Sequence, residues 1–351
     1  MAGKKKSSWV KTRHAIIMNL AKLVIIPMCK IKYHIDMVKC HDRRQMLIVF
    51  NHVTAYDQFF VAESLRLPIY FIASEDIFSM GFLSKLLRWA VAPIPIKKQA
   101  KDVTAVKTAI KVVKEGGSIA LSPEGNRTYS GKLCHIKATI APMARKFKLP
   151  IACYRIEGGY GVQPRWSNDE RKGTMKSYVS RIIEPEEYAE MTDDELMAAI
   201  VAEINVDERN IVGEYHSNTL AEYMERAIYV CPDCGLSRFE SRGDIIKCLK
   251  CNKGMRYLPN KHFEGVGFDS PFEQVLDWYE YQENYVNKLD LVSREDEVIY
   301  EEKADLYKVN LYKNKELLES GIGIELKGGG IVFIHNDGRR EEIPFADASA
   351  I

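Results

Sequence analysis

The sequence predicts an α/β protein with a mainly parallel sheet flanked by helices, followed by a small cysteine-rich module and a C-terminal β-rich module. Between residues 46 and 185, short apolar runs with strand character alternate with longer stretches of helical period. That alternation is typical of parallel strands joined by helices. Two Cys-x-x-Cys pairs then mark a change of composition, and the chain beyond residue 290 is strand-like again.

The length and composition are those of a globular protein of two or three domains. The 351 residues are 46% hydrophobic and 28% charged, with a formal net charge of +2. This balance does not favour a nucleic-acid binder driven by bulk charge, so nucleic acid is not expected as a partner. The charge is unevenly distributed, because residues 1–50 hold eleven Lys/Arg against two Asp/Glu, and residues 290–351 hold eight against fourteen.

Residues 1–40 predict a basic amphipathic segment at a membrane interface. A lysine-rich start precedes an apolar run over residues 15–29, and the longest piece of that run without a polar residue, residues 23–29, is far shorter than the ~20 residues of a membrane span. The run is interrupted by Asn19, Lys22 and Pro27. We therefore expect an interfacial helix with its lysines toward anionic headgroups. An ordinary core helix is the alternative, and a signal peptide is disfavoured because no clear cleavage site follows.

Six strands are predicted in the α/β region. They span residues 46–50, 68–73, 94–96, 118–121, 150–156 and 178–183. The clearest helix between them begins after Asp102, which can cap it, and ends at Gly116. Its predicted apolar stripe consists of Val103, Val106, Ile110 and Val113. A capping-box pattern from Thr192 to Glu195 predicts another helix that runs to about residue 205.

His52 and Asp57 are candidate catalytic residues at the end of a predicted strand. The apolar run over residues 46–50 leads directly into Asn51 and His52, and Asp57 follows five positions after the histidine. Histidine readily transfers protons near neutral pH, and a carboxylate bound to one ring nitrogen fixes the tautomer. Because such a pair also arises by chance in many chains, its interpretation depends on a second site.

The second candidate site is the stretch Pro123-Glu124-Gly125-Asn126-Arg127-Thr128, which directly follows the predicted strand 118–121. The carboxyl ends of parallel strands meet at one edge of an open sheet, where ligands bind. We therefore expect both stretches to face one crevice. Gly125 permits a tight turn, and Arg127 offers a planar fork that suits phosphate. A solvated loop is the alternative interpretation.

These stretches resemble sequence blocks of the glycerol-phosphate and lysophospholipid acyltransferase family. The family's Asn-His-x4-Asp block is matched by Asn51, His52 and Asp57, and its Pro-Glu-Gly-x-Arg-Ser/Thr block by residues 123–128. Two further blocks match loosely. A Gly-x-Ile-Phe-Ile-x-Arg block aligns with residues 92–98, where Lys98 replaces the arginine, and an apolar-Pro-Ile-x-Pro block with residues 149–154, where Cys153 replaces the second proline.

The resemblance implies an acyltransferase-type domain over residues 41–215 that acylates the free hydroxyl of a lysophospholipid. The implied acceptor is above all 1-acyl-glycerol-3-phosphate, which would give phosphatidate, and the donor is either acyl-CoA or acyl carrier protein. His52 would be the general base and Asp57 would orient it. Backbone N–H groups near the start of the next helix, or around Gly125, would stabilise the oxyanion.

The resemblance also implies binding residues for the phosphates of the substrates. Arg127 and Glu124 correspond to the family's acceptor-phosphate site, and the adjoining Gly125 and Asn126 belong to the same block. Lys97 and Lys98 are candidates for the acceptor phosphate or the phosphates of the carrier.

A four-cysteine zinc ribbon is predicted over residues 229–257. Two Cys-x-x-Cys pairs, separated by thirteen residues, have the knuckle spacing of such a ribbon; they are Cys231, Cys234, Cys248 and Cys251. Four thiolates leave no open position for a substrate, so the Zn²⁺ would be structural. The charges around the pairs are mixed, which favours a stabilising or docking module over a nucleic-acid reader.

The C-terminal part is predicted to contain one helix and a β module. Ser270, Pro271 and Glu273 suggest a capping box that opens a helix within residues 270–290. The predicted strands of the β module, residues 291–351, span 306–312, 321–327, 331–335 and 342–345. Asn-Asp-Gly at residues 336–338 predicts a hairpin turn between the last two.

Two functional hypotheses follow. The first is a membrane-associated acyltransferase, peripheral or monotopic, on the cytoplasmic face, where membrane lipid and the lysophospholipid are its partners; the scattered single cysteines fit a reducing compartment. The second is a catalytically inactive acyltransferase-like protein that binds or regulates through its ribbon and β module. The intact motif residues favour the first.

Overall fold

The computed structural model describes residues 8–97, 102–136, 138–345 and 347. Within this part of the chain, a sheet of seven strands has the order β1-β7-β6-β2-β5-β3-β4. In chain order these strands are β1 (Ile35–Met37), β2 (Leu47–Phe50), β3 (Ile69–Ser74), β4 (Ile94–Ile96), β5 (Ser118–Leu121), β6 (Ile151–Glu157) and β7 (Met175–Ile183). The helices are α1 (Thr12–Tyr33), α2 (Asp57–Leu65), α3 (Phe82–Ala90), α4 (Val103–Lys114), α5 (Ile140–Phe147), α6 (Gly159–Val162), α7 (Pro185–Ala189), α8 (Asp193–Ile204) and α9 (Val275–Asn287).

The sheet is mainly parallel, which confirms the predicted fold class. Strands β6, β2, β5, β3 and β4 all run in one direction, while β7 is antiparallel to β6 and β1 pairs parallel to β7. All six predicted strands are present. Strand β1 was not predicted, because three residues with a central aspartate carry no apolar run.

Both faces of the sheet are covered, and β2 lies at its centre. Leu47 and Val49 enter the hydrophobic layer formed with α4, α5 and α8, whereas Ile48 and Phe50 enter the layer that contains residues of α1 and α2. Successive side chains of a strand point to opposite faces, so a strand buried on both sides is apolar throughout. Every residue of β2 is buried, and the polar residues that follow are thereby placed at a rigid edge.

Helix α4 begins and ends as predicted but turns a different face to the sheet. Asp102 caps it by accepting hydrogen bonds from the N–H groups of Thr104 and Ala105, and Gly116 follows its end with φ +86°. The predicted stripe is confirmed only in part, because Ile110 and Val113 pack against the core but Val103 and Val106 are 58% and 44% exposed. The residues buried against the sheet are Ala105, Ala109 and Val112. Small side chains let a helix approach a sheet closely, so the first turns bury Ala105 and Ala109 and leave Val103 and Val106 on the outer side.

Helix α1 corrects the expectation that no segment reaches membrane-spanning length. It continues through all three interruptions, and by length and composition it is able to cross a membrane: its mean hydropathy is 1.6 and 17% of the best window is buried. A core helix of a soluble protein or a signal sequence meets the same criteria. The buried residues are His14 near the start and Ile26, Cys29 and Tyr33 toward the end, and between them the Lys22 ammonium donates to the Ala62 carbonyl of α2 at 2.5 Å. Helix α1 therefore packs lengthwise against the domain.

The cysteine-rich region forms small antiparallel sheets that share a hydrophobic core with the α/β domain. The strands are β8 (Val230–Cys231), β9 (Gly235–Leu236), β10 (Phe239–Arg242), β11 (Ile245–Cys248), β12 (Gly254–Tyr257) and β13 (Phe263–Gly265). The Tyr257 ring lies edge-on to Trp166 of the α/β domain, with ring centroids 6.0 Å apart. One continuous apolar cluster therefore includes both regions.

The capping box predicted at the start of the C-terminal helix was wrong in position. The box predicted for α8, formed by Thr192 and Glu195, is present, but α9 begins at Val275 with a box formed by Gln274 and Asp277. The backbone N–H of Phe263 donates to the Glu273 carbonyl at 2.7 Å. This bond and the antiparallel bridge between His262 and the extended Gln274 hold the segment beside the ribbon, so the helix starts later.

The C-terminal module is an antiparallel meander of β14 (Val298–Lys308), β15 (Glu316–Lys327), β16 (Gly330–Ile334) and β17 (Arg340–Pro344). The predicted turn at residues 336–338 is present, and Gly338 adopts φ +84°. The first strand starts at residue 298 rather than 306. Most of β14 is exposed, so its first half has no buried face to create an apolar pattern.

Candidate functional site

His52 and Asp57 form a hydrogen-bonded pair at the carboxyl end of β2. The Nδ1 atom of His52 lies 2.8 Å from Oδ2 of Asp57, and the histidine side chain is 29% exposed whereas the aspartate is fully buried. None of the described residues forms a hydrogen bond with Nε2 of His52. The pair therefore fixes one ring nitrogen and leaves the other available at the surface.

The Asp57 carboxylate is held rigidly, because it is the first residue of α2 and accepts hydrogen bonds from the turn that precedes the helix. Its donors are the N–H of Val53 at 2.8 Å, the N–H of Thr54 at 3.0 Å and the Thr54 hydroxyl at 2.6 Å. A buried carboxylate needs such donors to compensate for lost hydration, and the N-terminus of a helix favours negative charge. The turn thus fixes the orientation of His52.

Asn51 has a structural role that the sequence did not reveal. Its side-chain amide donates to the carbonyl of Ile156 and accepts from the N–H of the same residue, both at 2.8 Å. Ile156 belongs to the neighbouring strand β6, and Asn51 is buried. The amide thereby continues the strand pairing one residue beyond β2 and holds the base of the His52 turn.

The two motif stretches meet at the sheet edge, since β2 and β5 are adjacent parallel strands. Glu124 accepts a hydrogen bond from the N–H of His52 at 2.7 Å and another from the N–H of Cys134 at 2.9 Å. The N–H of Thr128 donates to the His52 carbonyl at 3.2 Å. Burial raises the pKa of Glu124 to about 7, although the N–H groups of Cys134 and His52 oppose the effect. The structure thus places Glu124 against the turn that carries His52.

Arg127 is a partly buried guanidinium beside this pair. It donates to Oε1 of Gln163 at 3.2 Å, and no carboxylate among the described residues forms an ion pair with it. Burial lowers the pKa of Arg127; the charge of Asp57 opposes this shift and the charge of Arg165 adds to it. Gly125 adopts φ +69°, in the left-handed region that favours glycine. Asn126 lies between Gly125 and Arg127 in the sequence. A guanidinium presented by such a tight turn is suited to binding an anion.

The two candidate lysines lie away from this pair. Lys97 is exposed just after β4, at the same sheet edge but three strand spacings, about 14 Å, from β2. Lys98 lies outside the described residues. The structure therefore does not bring Lys97 together with His52.

A loop over residues 163–170, which the sequence did not indicate, joins both motif stretches to α1. Oε1 of Gln163 accepts from the N–H of Ala55 at 2.8 Å as well as from Arg127. Nε2 of Gln163 donates to Glu170 at 2.9 Å, and Glu170 also accepts from the Tyr33 hydroxyl at 2.6 Å. Burial pushes the pKa of Glu170 upward, but hydrogen bonds from Lys32 and Tyr33 outweigh it and leave that pKa below its ordinary value. The loop has no periodic pattern, so no sequence signal marked it.

The four cysteines of the ribbon converge on one point. Their sulfur atoms all lie within 4.8 Å of one another, and those of Cys231 and Cys251 are 3.7 Å apart. A tetrahedral Zn²⁺ with bonds of about 2.3 Å places its sulfurs about 3.8 Å apart. Burial would raise the pKa of Cys248, but N–H groups of Cys251 and Lys250 and the Ser237 hydroxyl bring it down to about 7. The donor set fits a structural zinc ion.

A family model and curated relatives are similar to part of the chain. Residues 30–157 match the family model described as Acyltransferase. The 1-acyl-sn-glycerol-3-phosphate acyltransferase of Bacillus subtilis (strain 168) is 24% identical over 142 residues, which cover 40% of this chain and 67% of that protein. The enzyme of the same name from Limnanthes douglasii is 25% identical over 138 residues, or 39% of this chain and 47% of the relative.

A solved structure that resembles part of this chain is the 1-acyl-sn-glycerophosphate (LPA) acyltransferase PlsC from Thermotoga maritima. It is 21% identical, with a TM-score of 0.42, and the match covers 54% of this chain and 76% of that one. The chain spans about two thirds of the Bacillus protein and about half of the Limnanthes one.

The matched region, the mainly parallel sheet and the two motif stretches define an acyltransferase-type α/β domain. Residues 30–157, which include His52, Asp57 and the Glu124–Arg127 turn, are the part of the chain that resembles the Acyltransferase family. The ribbon and the C-terminal β module lie beyond the matched residues.

Proposed function

We propose that this protein is an O-acyltransferase that transfers a fatty acyl group from acyl-CoA or acyl carrier protein to the free hydroxyl of 1-acyl-glycerol-3-phosphate, giving phosphatidate. The observation that carries the proposal is the pair formed by His52 and Asp57. The Nε2 atom of His52 is available at the surface, and Arg127 of the second motif stretch offers a partly buried guanidinium. The names of the relatives supply the acceptor class.

His52 acts as the general base. Its Nε2 removes the proton from the acceptor hydroxyl as the oxygen attacks the thioester carbonyl, and Asp57 stabilises the imidazolium that forms. A tetrahedral intermediate results. Collapse of this intermediate breaks the C–S bond, and the imidazolium returns its proton to the departing thiolate. The chain contains no Gly-x-Ser-x-Gly elbow, which agrees with direct transfer.

The oxyanion donors lie around Gly125 in this proposal. The N–H groups of Val53 and Thr54 are bound to Asp57, and that of Ala55 is bound to Gln163. These three N–H groups before α2 are therefore occupied. The turn at Gly125 is the remaining candidate, because it directly follows Glu124, whose carboxylate accepts a hydrogen bond from the N–H of His52.

Arg127 binds the phosphate of the acceptor, and the lysines after β4 bind phosphates of the donor. A guanidinium without a carboxylate partner gains most from a phosphate dianion that it contacts with two N–H groups. The distance of about 14 Å between β4 and β2 suits Lys97 to the carrier rather than to the reacting atoms.

The four-cysteine site binds one structural Zn²⁺. The ion joins the two knuckles of the ribbon, and thereby stabilises the apolar cluster that the ribbon shares with the α/β domain. It takes no part in acyl transfer.

Helix α1 attaches the enzyme to the cytoplasmic face of a membrane as a monotopic anchor. Its outer face is apolar; the exposed residues there include Ile16, Leu20, Leu23, Val24 and Ile31. Lys22 is turned inward to α2 rather than toward headgroups, so the charges of the outer face lie at the helix ends. The lengthwise packing of α1 favours immersion along the surface over a span.

Release of CoA thiol from acyl-CoA in the presence of lysophosphatidate tests the proposal. His52→Ala should lower turnover by at least ~10³-fold, with zinc content and circular dichroism unchanged. His216→Ala is the matched control, since His216 is exposed and remote. Undiminished turnover in His52→Ala would sink the mechanism. A wild-type protein that releases no thiol with any donor or lysophospholipid would favour the binding or regulatory alternative.

A further inference from the structure

Helix α3 presents its apolar side chains to solvent. Ser84 is the buried residue of this nine-residue helix. The exposed apolar residues and their exposed fractions are Phe82 (79%), Leu83 (53%), Leu86 (43%) and Trp89 (52%). Surface helices of globular proteins normally turn such residues inward. A contiguous exposed apolar face marks an interaction surface.

This face is continuous with the outer face of α1. The two helices pack against each other. The Arg13 guanidinium donates from Nε to the Trp89 carbonyl at 3.0 Å and lies 5.4 Å from the centre of its ring. Ile16 and Leu20 of α1 are also exposed, by 54% and 59%. Together, α1 and α3 form one apolar surface, which we call the α1–α3 surface.

The turn of the β14–β15 hairpin, residues 309–315, fastens the start of α3. The N–H of Tyr312 donates to the carbonyl of Phe78 at 2.6 Å, and the N–H of Gly81 donates to the carbonyl of Lys313 at 3.2 Å. The Tyr312 ring lies between Phe78, with centroids 5.8 Å apart, and the guanidinium of Arg88 at 4.6 Å. The C-terminal module is therefore physically attached to the segment that carries the apolar residues.

Gly81 makes this attachment close. It adopts φ +57°, and a Cβ at this position would lie 2.3 Å from Oδ1 of Asn314. The hairpin turn approaches the backbone as closely as a glycine allows. Because Gly81 directly precedes α3, this contact fixes the start of the helix against the hairpin turn.

We propose that the α1–α3 surface binds an anionic phospholipid bilayer and that the hairpin turn holds α3 in the orientation that binds. Three observations favour lipid as the occupant. Tryptophan and phenylalanine are the side chains typical of the interfacial region. Lys85 and Arg88 are exposed on the same helix and complement anionic headgroups. The surface continues the outer face of α1, the anchor in the proposed function.

The assignment of a lipid bilayer as the partner of the α1–α3 surface rests on the proposed function. The test of this assignment measures binding and does not require enzymatic activity. Trp166 and Trp278 are buried, while Trp9 is partly exposed. In a Trp9→Phe background, emission that responds to lipid therefore reports on Trp89. Vesicles of anionic phospholipid with brominated acyl chains should quench this emission by at least a third, relative to matched vesicles without bromine. Trp89→Phe should remove the difference.

Substitutions on the outer face give a second measurement. Leu83→Ser with Leu86→Ser should lower the vesicle-bound fraction several-fold in sedimentation, because both side chains face outward. Vesicles that bind the protein without quenching Trp89 would show that α1 alone enters the lipid, and would overturn the proposal. A dimer in sedimentation velocity that the same double substitution dissociates would also overturn it, in favour of a second copy of the chain.

The role of the hairpin turn has its own control. Tyr312→Ala should reduce the quenching of Trp89 and increase amide hydrogen exchange over residues 78–90. Tyr307→Ala, an exposed tyrosine of β14, should change neither. Equal quenching in Tyr312→Ala and wild type would contradict a holding role. A protein that binds vesicles through α3 but does not catalyse acyl transfer would refute only the proposed function. A protein that catalyses acyl transfer without quenching of Trp89 would refute only the proposal that the α1–α3 surface binds lipid.

Discussion

The carboxylate of Glu124 accepts a hydrogen bond from the backbone N–H of His52 at 2.7 Å, although 72 residues separate them. Its second oxygen accepts from the N–H of Cys134 at 2.9 Å. The acidic residue of the second motif thus supports the turn that carries the proposed base. Glu124 therefore contributes to positioning as well as to the charge of the crevice.

Glu124 should make the stability of the protein depend on pH. Burial raises its pKa from 4.5 to about 7, so the folded protein keeps this proton when the unfolded chain has lost it. The contribution is fully present below pH 4.5 and is lost as the pH rises through 7. Between about pH 5 and about pH 8, the free energy of unfolding of Glu124→Gln should therefore rise by on the order of 2–3 kcal/mol relative to wild type.

Denaturant unfolding at the two pH values measures this difference. Glu186→Gln, which changes an exposed residue of α7, is the control and should give a flat difference. A difference for Glu124→Gln that is equally flat would show that the carboxyl ionises alike in both states.

Gln163 should determine how well the site binds a phosphate-bearing acceptor. Its Oε1 holds both Arg127 and the N–H of Ala55. Gln163→Leu keeps the volume but leaves the guanidinium without this partner, and the loss of such a bond costs ~1–2 kcal/mol. We expect the KM for lysophosphatidate to rise about tenfold, with a smaller fall in kcat.

A neutral monoacylglycerol acceptor separates positioning of Arg127 from general damage. The KM for this acceptor should change little in Gln163→Leu. Gln58→Leu is the matched control, because Gln58 donates to the carbonyl of Ala55 from an exposed position. An equal loss for both acceptors would contradict the role assigned to Gln163.

Removal of the metal should weaken more than the ribbon. Cys231→Ser with Cys248→Ser should abolish a zinc stoichiometry of one per chain and lower the free energy of unfolding by several kcal/mol. Because the ribbon and the α/β domain share one apolar cluster, acyl transfer should be lost at lower temperature as well. Cys40→Ser, outside the quartet, should leave the zinc content intact. A double variant that still binds one zinc ion would refute the ribbon site.

The motif residues were predictable because each lies directly after a strand. The apolar run predicts a buried strand. The Asn-His or Pro-Glu-Gly that follows it predicts polar side chains at the end of that strand and the chemistry that they can perform. The parallel order of β2 and β5 then places both stretches at one edge. The same locality made the caps of α4 and α8 predictable.

The supporting contacts were not predictable, since they join distant residues without a periodic pattern. Gln163 lies 108 residues from Ala55, and Asn51 lies 105 from Ile156. The apolar stripe of α4 was misassigned in its first half, because Ala105 and Ala109, rather than Val103 and Val106, are buried against the sheet. The exposed apolar face of α3 likewise follows an ordinary helical pattern, which does not tell whether that face is buried by protein.

The buried ion pair between Lys261 and Glu208 joins the segment after the ribbon strand β12 to the loops at Gly131 and Gly158. Lys261 is 3% exposed, and its ammonium donates to Glu208 at 3.1 Å and to the Ile211 carbonyl at 2.8 Å. Glu208 in turn accepts from the N–H of Gly158 at 2.8 Å, and its own N–H donates to the carbonyl of Gly131. Burial raises the pKa of Glu208 even beside the lysine.

Lys261→Met should lower the free energy of unfolding by ~3–5 kcal/mol, because it leaves a buried carboxyl without its partner. Glu208→Gln should also destabilise, and the double variant should lose less than the two single losses together. Chemical denaturation of the four proteins measures this coupling. Lys253→Met is the control, since Lys253 pairs with Asp233 at an exposed position, where ion pairs contribute at most ~1 kcal/mol. Strictly additive losses for Lys261 and Glu208 would mean that the two side chains stabilise the fold independently, and that the ribbon is held to the α/β domain by its apolar cluster alone.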